Sequence, residues 1–286
     1  MNEECLKCLI SNGTIDNLIY KEKTTSTNDI EKEIAAKGFT GKSLAVTEIQ
    51  TNGRGRNGRH WESPEGSGIW MSLLTTPQKN DLCFSSVTLL SALAITRAIN
   101  AQYSEMLIAN SEVLKNLHSN DFSAQIKWPN DVIINKKKIS GILTEMISTG
   151  SSAPDSNHII AGIGINVNTV SFPSEISDKA TSLFLETGML WNRESLIIKV
   201  IENLVNAEEI FEKEGSLAPF VNEYNSLLIN KDKEVILSSE NIVFPDNPYI
   251  ARGIDNDGSL VVEDSSKNLH SISCGEISVR GVLGYV

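Results

Sequence analysis

Cysteine is scarce in this sequence, and the few cysteines form no pattern typical of a metal site or a disulfide framework. Only four occur in 286 residues. Cys5 and Cys8 form a C-x-x-C pair, but no second pair follows at zinc-binding spacing and no histidine lies nearby. We therefore expect unpaired thiols in a reducing compartment, and a cytoplasmic protein.

Long hydrophobic runs are also missing. No uninterrupted apolar stretch approaches the roughly 20 residues that a membrane-spanning helix needs. The chain starts with acidic residues where a signal peptide would carry basic ones, and Lys7 interrupts the short apolar stretch that follows. The sequence therefore predicts no membrane partner.

Positive charge is in short supply. Lys and Arg total 25 against 36 Asp and Glu, which gives a formal net charge of -11. A protein that binds nucleic acid without sequence preference needs the opposite balance to neutralise phosphates. We therefore expect no DNA partner, and any anion must be bound by a local cluster of positive side chains. The hydrophobic content of 40% and the mean hydropathy of -0.12 are ordinary for a folded enzyme.

The spacing of apolar residues predicts an α+β fold, in which helices pack on a mixed sheet. Extended runs alternate with segments that carry apolar residues at helical spacing. Residues 101–124 are polar and irregular, and we interpret them as an insertion or a frayed extension of the preceding helix. One helix begins at the cap cluster Ser26–Asp29. The predicted strands are 18–23, 43–49, 68–74, 125–128, 132–135, 139–147 and 158–167, and the other predicted helices are 87–98, 192–213 and 217–229.

The C-terminal part of the chain has a different pattern. From about Lys233 only short strands are predicted, at residues 235–237, 249–253, 260–263 and 277–280, separated by turn clusters such as residues 255–258. This pattern is typical of a small β-barrel of roughly fifty residues. We therefore predict two domains, residues 1–231 and 232–286.

The densest positive charge is the sequence GRGRNGR at residues 53–59. Three guanidinium groups within a few residues repel one another, and three glycines favour a mobile backbone. Because arginine pairs bidentately with carboxylate and phosphate, this loop suits the binding of an acid together with a nucleotide. A solvated surface loop and an RNA-binding segment are the alternatives. The loop is not a P-loop, because the lysine followed by serine or threonine is absent.

A second cluster, KWPND at residues 127–131, is followed by KISG at residues 138–141. Pro129 ends the first strand, so Asn130 and Asp131 emerge from a strand end where polar side chains can face a pocket. Asn and Asp at such turns also often cap the backbone, and a lysine in a three-lysine turn is often solvated.

A third cluster, AGIGIN at residues 161–166, is a strand with two glycines. Glycine weakens a strand and often marks the close approach of a ligand. The cluster is not the dinucleotide-binding fingerprint, because no third glycine opens a helix there.

Together these motifs resemble those of biotin protein ligases. STN at residues 26–28, the arginine loop ending at Trp61, KWPND, KISGIL and GIGINVN occur in that order. The resemblance continues through residues 252–255 and 275–280, which look like the C-terminal SH3-like domain of that family. It implies a class II synthetase-like catalytic domain followed by that small barrel. Only 25 residues precede Ser26, so we expect a short form without the DNA-binding domain of the repressor members.

The resemblance implies an ATP-dependent ligase. In such an enzyme the biotin carboxylate attacks the α-phosphate of ATP, which gives biotinyl-5′-AMP and pyrophosphate. A lysine of a biotin carboxyl carrier domain then attacks this mixed anhydride and releases AMP. Because two anions meet in the first step, arginine, lysine and Mg²⁺ would supply the main electrostatic stabilisation. Biotin and ATP are therefore the expected substrates, and the carrier domain is the expected partner.

The resemblance also assigns roles to individual residues. The expected catalytic residues are Arg56, Lys138 and Asp131, with Asp131 orienting or deprotonating the incoming lysine. The expected biotin-binding residues are Ser26, Thr27, Asn28, Gln50, Gly53, Arg54, Gly55, Arg56, Lys138, Gly141, Gly162 and Gly164. The expected residues around ATP or the adenylate are Arg54, Arg56, Arg59, Trp61, Lys127, Asn130, Lys138 and Asn166. No side chain is expected to bind a metal directly.

Three alternative functions stay open. A lipoate or octanoyl ligase would share the fold and the chemistry, although the GRGR and KWPND motifs argue against it. A nucleic-acid-binding module built on the arginine loop is opposed by the net charge, and an inactive scaffold is opposed by the full set of site residues. Both a monomer and a homodimer are compatible with the sequence, because an exposed sheet edge can pair two copies.

Overall fold

A computed structural model describes residues 1–77, 84–109, 122–148, 157–239, 242–245, 248–273 and 277–281. It contains a seven-stranded sheet, a five-stranded sheet and helices packed on the larger sheet, which confirms the predicted α+β class. Cys5 and Cys8 are free and exposed. Cys83, Cys274 and residues 110–121 of the predicted irregular segment lie outside the described residues.

The large sheet is mixed, as predicted. Its strands are β1 (Asn17–Thr24), β2 (Lys42–Gln50), β3 (Gly68–Thr75), β4 (Gln125–Lys127), β5 (Asp131–Ile134), β6 (Lys137–Ser148) and β7 (Asn157–Asn166). They lie in the order β1-β2-β3-β7-β6-β5-β4. Strands β1 and β2 are parallel, and the other neighbours are antiparallel. The central strand β3 is buried along its whole length, which explains its nearly continuous apolar sequence.

Helices pack on both faces of this sheet. They are α1 (Glu3–Leu6), α2 (Cys8–Ser11), α3 (Thr27–Ala36), α4 (Phe84–Ala109), α5 (Leu183–Thr187), α6 (Arg193–Glu214) and α7 (Ala218–Leu227). Local sequence sets the limits of α6. The side chain of Asn192 accepts a hydrogen bond from the backbone N–H of Ser195, and Gly215 ends the helix in the left-handed conformation at φ 69°.

Helix α4 is longer than the sequence analysis predicted. It continues to Ala109, so residues 101–109 extend the helix, which was one of the two interpretations of this segment, and Gln102 and Tyr103 are buried on it. The Tyr103 ring lies 4.0 Å from that of Phe122, centroid to centroid, and stacks on that of Trp191 at 6.3 Å. Among the described residues α4 is the one helix long and apolar enough to span a membrane, but 72% of its most apolar window is buried inside the protein.

The C-terminal sheet is small and antiparallel, as predicted. Its strands are β8 (Glu234–Ser238), β9 (Tyr249–Ile254), β10 (Leu260–Glu263), β11 (Leu269–Ile272) and β12 (Ser278–Gly281), in the order β11-β10-β9-β8-β12. The sequence analysis missed β11, because this edge strand is mostly exposed and has no apolar alternation. The predicted domain boundary at residues 231 and 232 falls between α7 and β8 and stays a prediction.

Specific polar contacts join the two parts of the chain. The indole Nε1 of Trp128 donates to the carbonyl oxygen of Gly258 at 3.1 Å. Gly258 has a φ of +82°, and a Cβ there would lie 2.4 Å from the side chain of Leu89. On α7, the amide of Asn225 both accepts from and donates to the backbone of Ile254, at 2.7 and 3.2 Å. The C-terminal sheet is therefore anchored beside the end of β4.

A buried carboxyl group between α3 and β2 makes the stability of the fold depend on pH. Glu31 is fully buried, and burial is the main reason why its pKa rises to about 8, against hydrogen bonds from Ser43 and the Ala45 backbone. Because the folded-state pKa lies above the unfolded value of 4.5, stability present below pH 4.5 is lost as the pH rises through about 8.

We predict that Glu31→Gln raises the free energy of unfolding relative to the wild-type protein increasingly between pH 5 and pH 9. The expected gain at pH 9 exceeds about 1 kcal/mol, because the variant carries no charge to bury. Urea unfolding at pH 5, 7 and 9 measures it. The control is Glu33→Gln at an exposed position on the same helix. A gain that does not change with pH would contradict the prediction.

Candidate functional site

A cleft lies where β6 and β7 pass beneath the loop of residues 53–61. It brings together most of the residues that the sequence analysis singled out: Ser26, Thr27, Asn28, Gln50, Arg54, Gly55, Arg56, Trp61, Asn130, Lys138, Gly141, Gly162 and Gly164. Its apolar lining was not predicted and consists of Met71, Ile142, Leu143 and Ile163. Two of these, Ile142 and Ile163, are adjacent in sequence to the strand glycines, which is a signal the sequence offers.

The remaining predicted residues lie close to the cleft without lining it. They are Gly53, Arg59, Lys127, Asp131 and Asn166. The Asn166 side chain is buried at the end of β7 and donates to the carbonyl oxygen of Thr181 at 3.1 Å. It therefore braces the segment after β7, and the contact with a nucleotide expected for it stays a prediction.

The arginine loop is folded rather than irregular. The backbone N–H of Trp61 donates to the carbonyl oxygen of Gly53 at 2.9 Å, and that of Gly55 donates to the carbonyl oxygen of Arg59 at 2.7 Å. A 3₁₀ turn, Arg56–Gly58, closes this small hairpin. A Cβ at Gly53 would lie 2.4 Å from the Trp61 carbonyl oxygen, so glycine is required there by close backbone approach.

Two of the loop arginines are held by specific partners. Both terminal nitrogens of Arg54 donate to the carboxylate of Asp29, at the start of α3. Partial burial alone would raise the pKa of Asp29, but the hydrogen bonds and the charge of Arg54 outweigh it and hold that pKa below its usual value. Arg56 donates to the Oδ1 of Asn130 at 3.0 Å, while the Nδ2 of Asn130 donates to the Ile142 carbonyl oxygen.

One part of the cleft floor combines hydrogen-bond donors and acceptors. The Oε1 of Gln50 accepts from the backbone N–H of Thr27 at 2.9 Å and from its hydroxyl at 3.2 Å. The Nε2 of Gln50 donates to the Oγ of Ser63 at 3.1 Å. Ser26 occupies the N-cap position of α3, but its buried hydroxyl makes no capping bond. This part of the floor is therefore pre-organised.

The network continues across the floor to β6. The hydroxyl of Ser72 lies 2.6 Å from both the Thr27 Oγ1 and the Asn28 Oδ1. The Nδ2 of Asn28 donates to the carboxylate of Glu145 at 2.7 Å, and the same carboxylate pairs with Lys32. These contacts fix the orientation of the Asn28 amide. Ser72 and Glu145 were not predicted, because nothing in the sequence marks them apart from other strand residues.

The glycines of β6 and β7 leave room for two side chains of the site. A Cβ at Gly164 would lie 2.6 Å from the Trp61 indole, and one at Gly141 would lie 2.8 Å from it. The Asn28 amide occupies the corresponding place at Gly162, where a Cβ would lie 2.2 Å from Oδ1. The Nε1 of Trp61 is buried and has no hydrogen-bond partner among the described residues.

Lys138 and Asp131 form an ion pair beside the cleft, with Nζ and Oδ1 2.6 Å apart. Lys138 Nζ also lies 5.3 Å from the centre of the Trp61 ring, a cation–π distance. The backbone of Lys138 is also fixed, because its N–H donates to the carbonyl oxygen of Lys179 and its carbonyl oxygen accepts from the N–H of Thr181. The ammonium group therefore has a defined position, unlike that of a solvated turn lysine.

A buried lysine next to this pair adds to the positive charge. Burial is the main reason why the pKa of Lys127 falls to about 8. Asp131 opposes this shift, whereas the charges of Lys138, Arg280 and Arg59 add to it. Arg280 lies on β12, so the C-terminal sheet contributes a cation to this region, which the residue-by-residue assignment missed. Arg280 could have been found from the sequence, because it is the last residue of the C-terminal motif at residues 275–280.

The cleft therefore places a polar floor, an aromatic ring and convergent cationic groups around one space. Among the described residues, no group of three or more His, Cys, Asp or Glu side chains is arranged to hold a metal ion. This fold and this cleft define an α+β protein whose site is suited to a ligand that combines a polar ring with anionic groups.

Comparison with known proteins identifies the family. The model of the biotin/lipoate A/B protein ligase family matches residues 20–166, and that of the biotin protein ligase C-terminal domain matches residues 241–280. The chain belongs to the biotin/lipoate A/B protein ligase family.

Individual relatives agree with this assignment. The chain is 30% identical over 237 residues to the bifunctional ligase/repressor BirA of Escherichia coli, which covers 82% of this chain and 65% of the relative. It is 26% identical to the biotin–[acetyl-CoA-carboxylase] ligase of Paracoccus denitrificans, over 84% of this chain and 91% of the relative. The Aquifex aeolicus biotin protein ligase, solved with biotin and ATP, matches with a TM-score of 0.73 and 29% identity, over 93% of this chain and 99% of that one.

Coverage of the bifunctional relatives is partial. The chain spans 51% of the BirA of Bacillus spizizenii, to which it is 37% identical over 187 residues.

The close approach of Asn28 to Gly162 gives a testable coupling. We predict that Gly162→Ala lowers the free energy of unfolding by about 1–3 kcal/mol, because the added methyl group displaces the hydrogen-bonded Asn28 amide. In the Gly162→Ala background, Asn28→Ala should lower the free energy of unfolding by less than it does in the wild-type protein, because it relieves the clash. A double-mutant cycle by urea unfolding measures the coupling.

The control for this cycle is Gly55→Ala. A Cβ there meets the Arg59 backbone only at 3.5 Å, an ordinary contact, so stability should change by less than about 0.5 kcal/mol. Additive effects of Gly162→Ala and Asn28→Ala would show that the two positions are not in steric conflict.

Proposed function

We propose that this chain is an ATP-dependent biotin protein ligase, which activates biotin as biotinyl-5′-AMP and transfers it to a lysine of a biotin carboxyl carrier domain. The observation that carries the proposal is the convergence of Arg56, Lys138 and the polar floor on one cleft. Family membership covers lipoate ligases as well. The C-terminal domain match and the similarity to the Aquifex ligase, solved with biotin and ATP, favour biotin.

The first step in this proposal joins two anions. A carboxylate oxygen of biotin attacks the α-phosphorus of ATP, and pyrophosphate leaves. The floor of Thr27 and Gln50 offers donors and acceptors to the ureido ring, and the apolar lining suits its aliphatic chain. Arg56 and Lys138 then face the carboxylate and the phosphate, where positive charge lowers the barrier most.

The second step transfers the acyl group. The carrier amine attacks the carbonyl carbon of the mixed anhydride, AMP leaves and the nitrogen loses a proton. Asp131 is the proposed group for orienting this amine and relaying its proton. Its ion pair with Lys138, a residue of the cleft lining, holds the carboxylate close to the cleft.

Mg²⁺ would enter with the nucleotide in this proposal. Mg²⁺ is commonly held by substrate phosphates and a small number of carboxylates, and it would neutralise the charge of the leaving pyrophosphate. A cytoplasmic location and a monomeric or homodimeric state are further parts of the proposal.

Biotin-dependent exchange of radiolabelled pyrophosphate into ATP tests the first step, and transfer of labelled biotin to a carrier domain tests the second. The proposal expects both, with little inhibition by excess lipoate. Strong competition by lipoate or octanoate would favour the lipoate-type alternative. If none of these acids supports exchange, the result would favour the alternative of an inactive scaffold.

Lys138 should be far more important for adenylate formation than its neighbour in the same turn. Lys138→Ala removes the ammonium group from the cleft and should slow adenylate formation more than tenfold, a barrier increase above about 1.4 kcal/mol. Lys137 donates only to the exposed carbonyl oxygen of Ser177, so Lys137→Ala should change the rate less than threefold. Single-turnover adenylate formation measures both rates. Equal effects would mean that the turn acts through general charge.

Arg56 should matter more for retaining the adenylate than for making it. Arg56→Gly removes an arginine–phosphate contact and raises the conformational entropy of a loop held to Asn130. Because Lys138 remains, adenylate should still form but dissociate at least tenfold faster. The variant should therefore attach biotin to lysines of a bystander protein, whereas the wild-type protein labels only its carrier. An adenylate retained as tightly as in the wild type would refute this role.

A further inference from the structure

A second cleft lies at the opposite end of β2 from the site described above. Lys42 begins β2 and lines the second cleft, whereas Gln50 ends the strand and lines the first. At roughly 3.3 Å per residue the two positions are about 26 Å apart. The second cleft, here called the distal cleft, encloses about 170 Å³ and is lined by side chains that include Asp16, Lys42, Thr75, Glu208, Glu209 and Glu212.

Glu208 is the feature of the distal cleft that calls for a ligand. Only 1% of this residue is exposed, although it lines the cleft. Its Oε2 accepts from the hydroxyl of Thr75 at 2.9 Å, whereas its Oε1 has no hydrogen-bond partner among the described residues. A buried carboxylate oxygen without a partner is costly unless a cation or a donor reaches it.

The charges around Glu208 favour a cationic ligand. Asp16, Glu209 and Glu212 also line the cleft, against one cation, Lys42. The ammonium group of Lys42 pairs with Glu209 at 2.5 Å, and its backbone N–H donates to Asp16 at 2.8 Å. Burial raises the pKa of Glu208 to about 7, with Glu212 and Glu209 adding to the shift and Thr75 and Lys42 opposing it.

Size and donor arrangement favour an organic cation over a bare metal ion. Among the described residues, no three acidic, His or Cys side chains are grouped closely enough to chelate a metal. The volume is about ten times the roughly 15 Å³ that one water molecule needs, which leaves room for a small elongated molecule. Carboxylates on α6 and at the end of the sheet formed by β1 and β2 could accept hydrogen bonds from the two ends of such a molecule.

We propose that the distal cleft binds a small aliphatic diamine, with one ammonium group pairing with the Glu208 carboxylate and the other facing Asp16 and Glu212 at the rim. The ligand would join α6 to the end of the sheet and stabilise the folded chain in proportion to its concentration. This site is separate from the biotin and ATP chemistry and does not depend on it.

Selectivity in the wild-type full-length chain tests the proposal without any substitution. Isothermal titration calorimetry at pH 8 compares butane-1,4-diamine, butane-1,4-diol, tetramethylammonium chloride and magnesium chloride. The diol lacks the charge and tetramethylammonium lacks N–H donors, so we expect saturable binding of the diamine and at least tenfold weaker binding of the other three. Equal binding of all the cations, or preferred binding of magnesium, would overturn the proposal.

A matched pair of variants on α6 locates the site. Glu208→Gln removes the buried charge without changing shape and should weaken diamine binding at least tenfold. Glu209→Gln removes an equal charge one residue further along, at a side chain that is 59% exposed, and should weaken binding less than threefold. Unfolding midpoints check that each variant is folded. Absence of diamine binding to the wild type, or equal losses in both variants, would refute the proposal.

Discussion

The proposed catalytic cleft depends on the absence of side chains at three positions of two neighbouring strands. Gly141, Gly162 and Gly164 let the indole of Trp61 and the amide of Asn28 lie directly against the backbone of β6 and β7. A methyl group at any of them would occupy space that those atoms fill, at separations well below van der Waals contact. Because interiors are close-packed, the arginine loop and the start of α3 can reach the sheet only at these glycines.

The polar floor and the charged rim of the cleft are built on that contact. The hydroxyl of Ser72 hydrogen-bonds the side chains of Thr27 and Asn28, and the Glu145 carboxylate accepts from the Asn28 amide. These contacts fix the orientation of the floor side chains from both sides of the cleft. The positive charges at the rim come from distant parts of the chain, including Arg280 of the C-terminal sheet. Docking through Trp128 therefore matters for the electrostatics of the site as well as for the packing of the two sheets.

Residues close in sequence made much of this architecture predictable. The α+β class and most strand positions follow from apolar spacing, and the resemblance of the local motifs to those of biotin protein ligases implied the set of residues around the cleft. The hairpin formed by the arginine loop was not predicted, and it depends on Gly53, which allows the Trp61 carbonyl group to approach its backbone. The sequence left residues 101–124 open as an insertion or a frayed extension of α4, and the helix continues to Ala109 because Tyr103 packs on rings supplied by distant segments.

The sequence by itself determined the elements, the local charge of the loop and the family resemblance, because these depend on side-chain spacing and on runs of adjacent residues. Only the tertiary structure decided which partners those side chains meet. It paired Arg54 with Asp29, oriented Asn28 through Glu145, and left one oxygen of Glu208 without a partner in the described part of the chain. Hydrogen bonds and pKa values depend on burial and on groups far apart in the chain, and the packing of the sheets against α4 and α6 sets both.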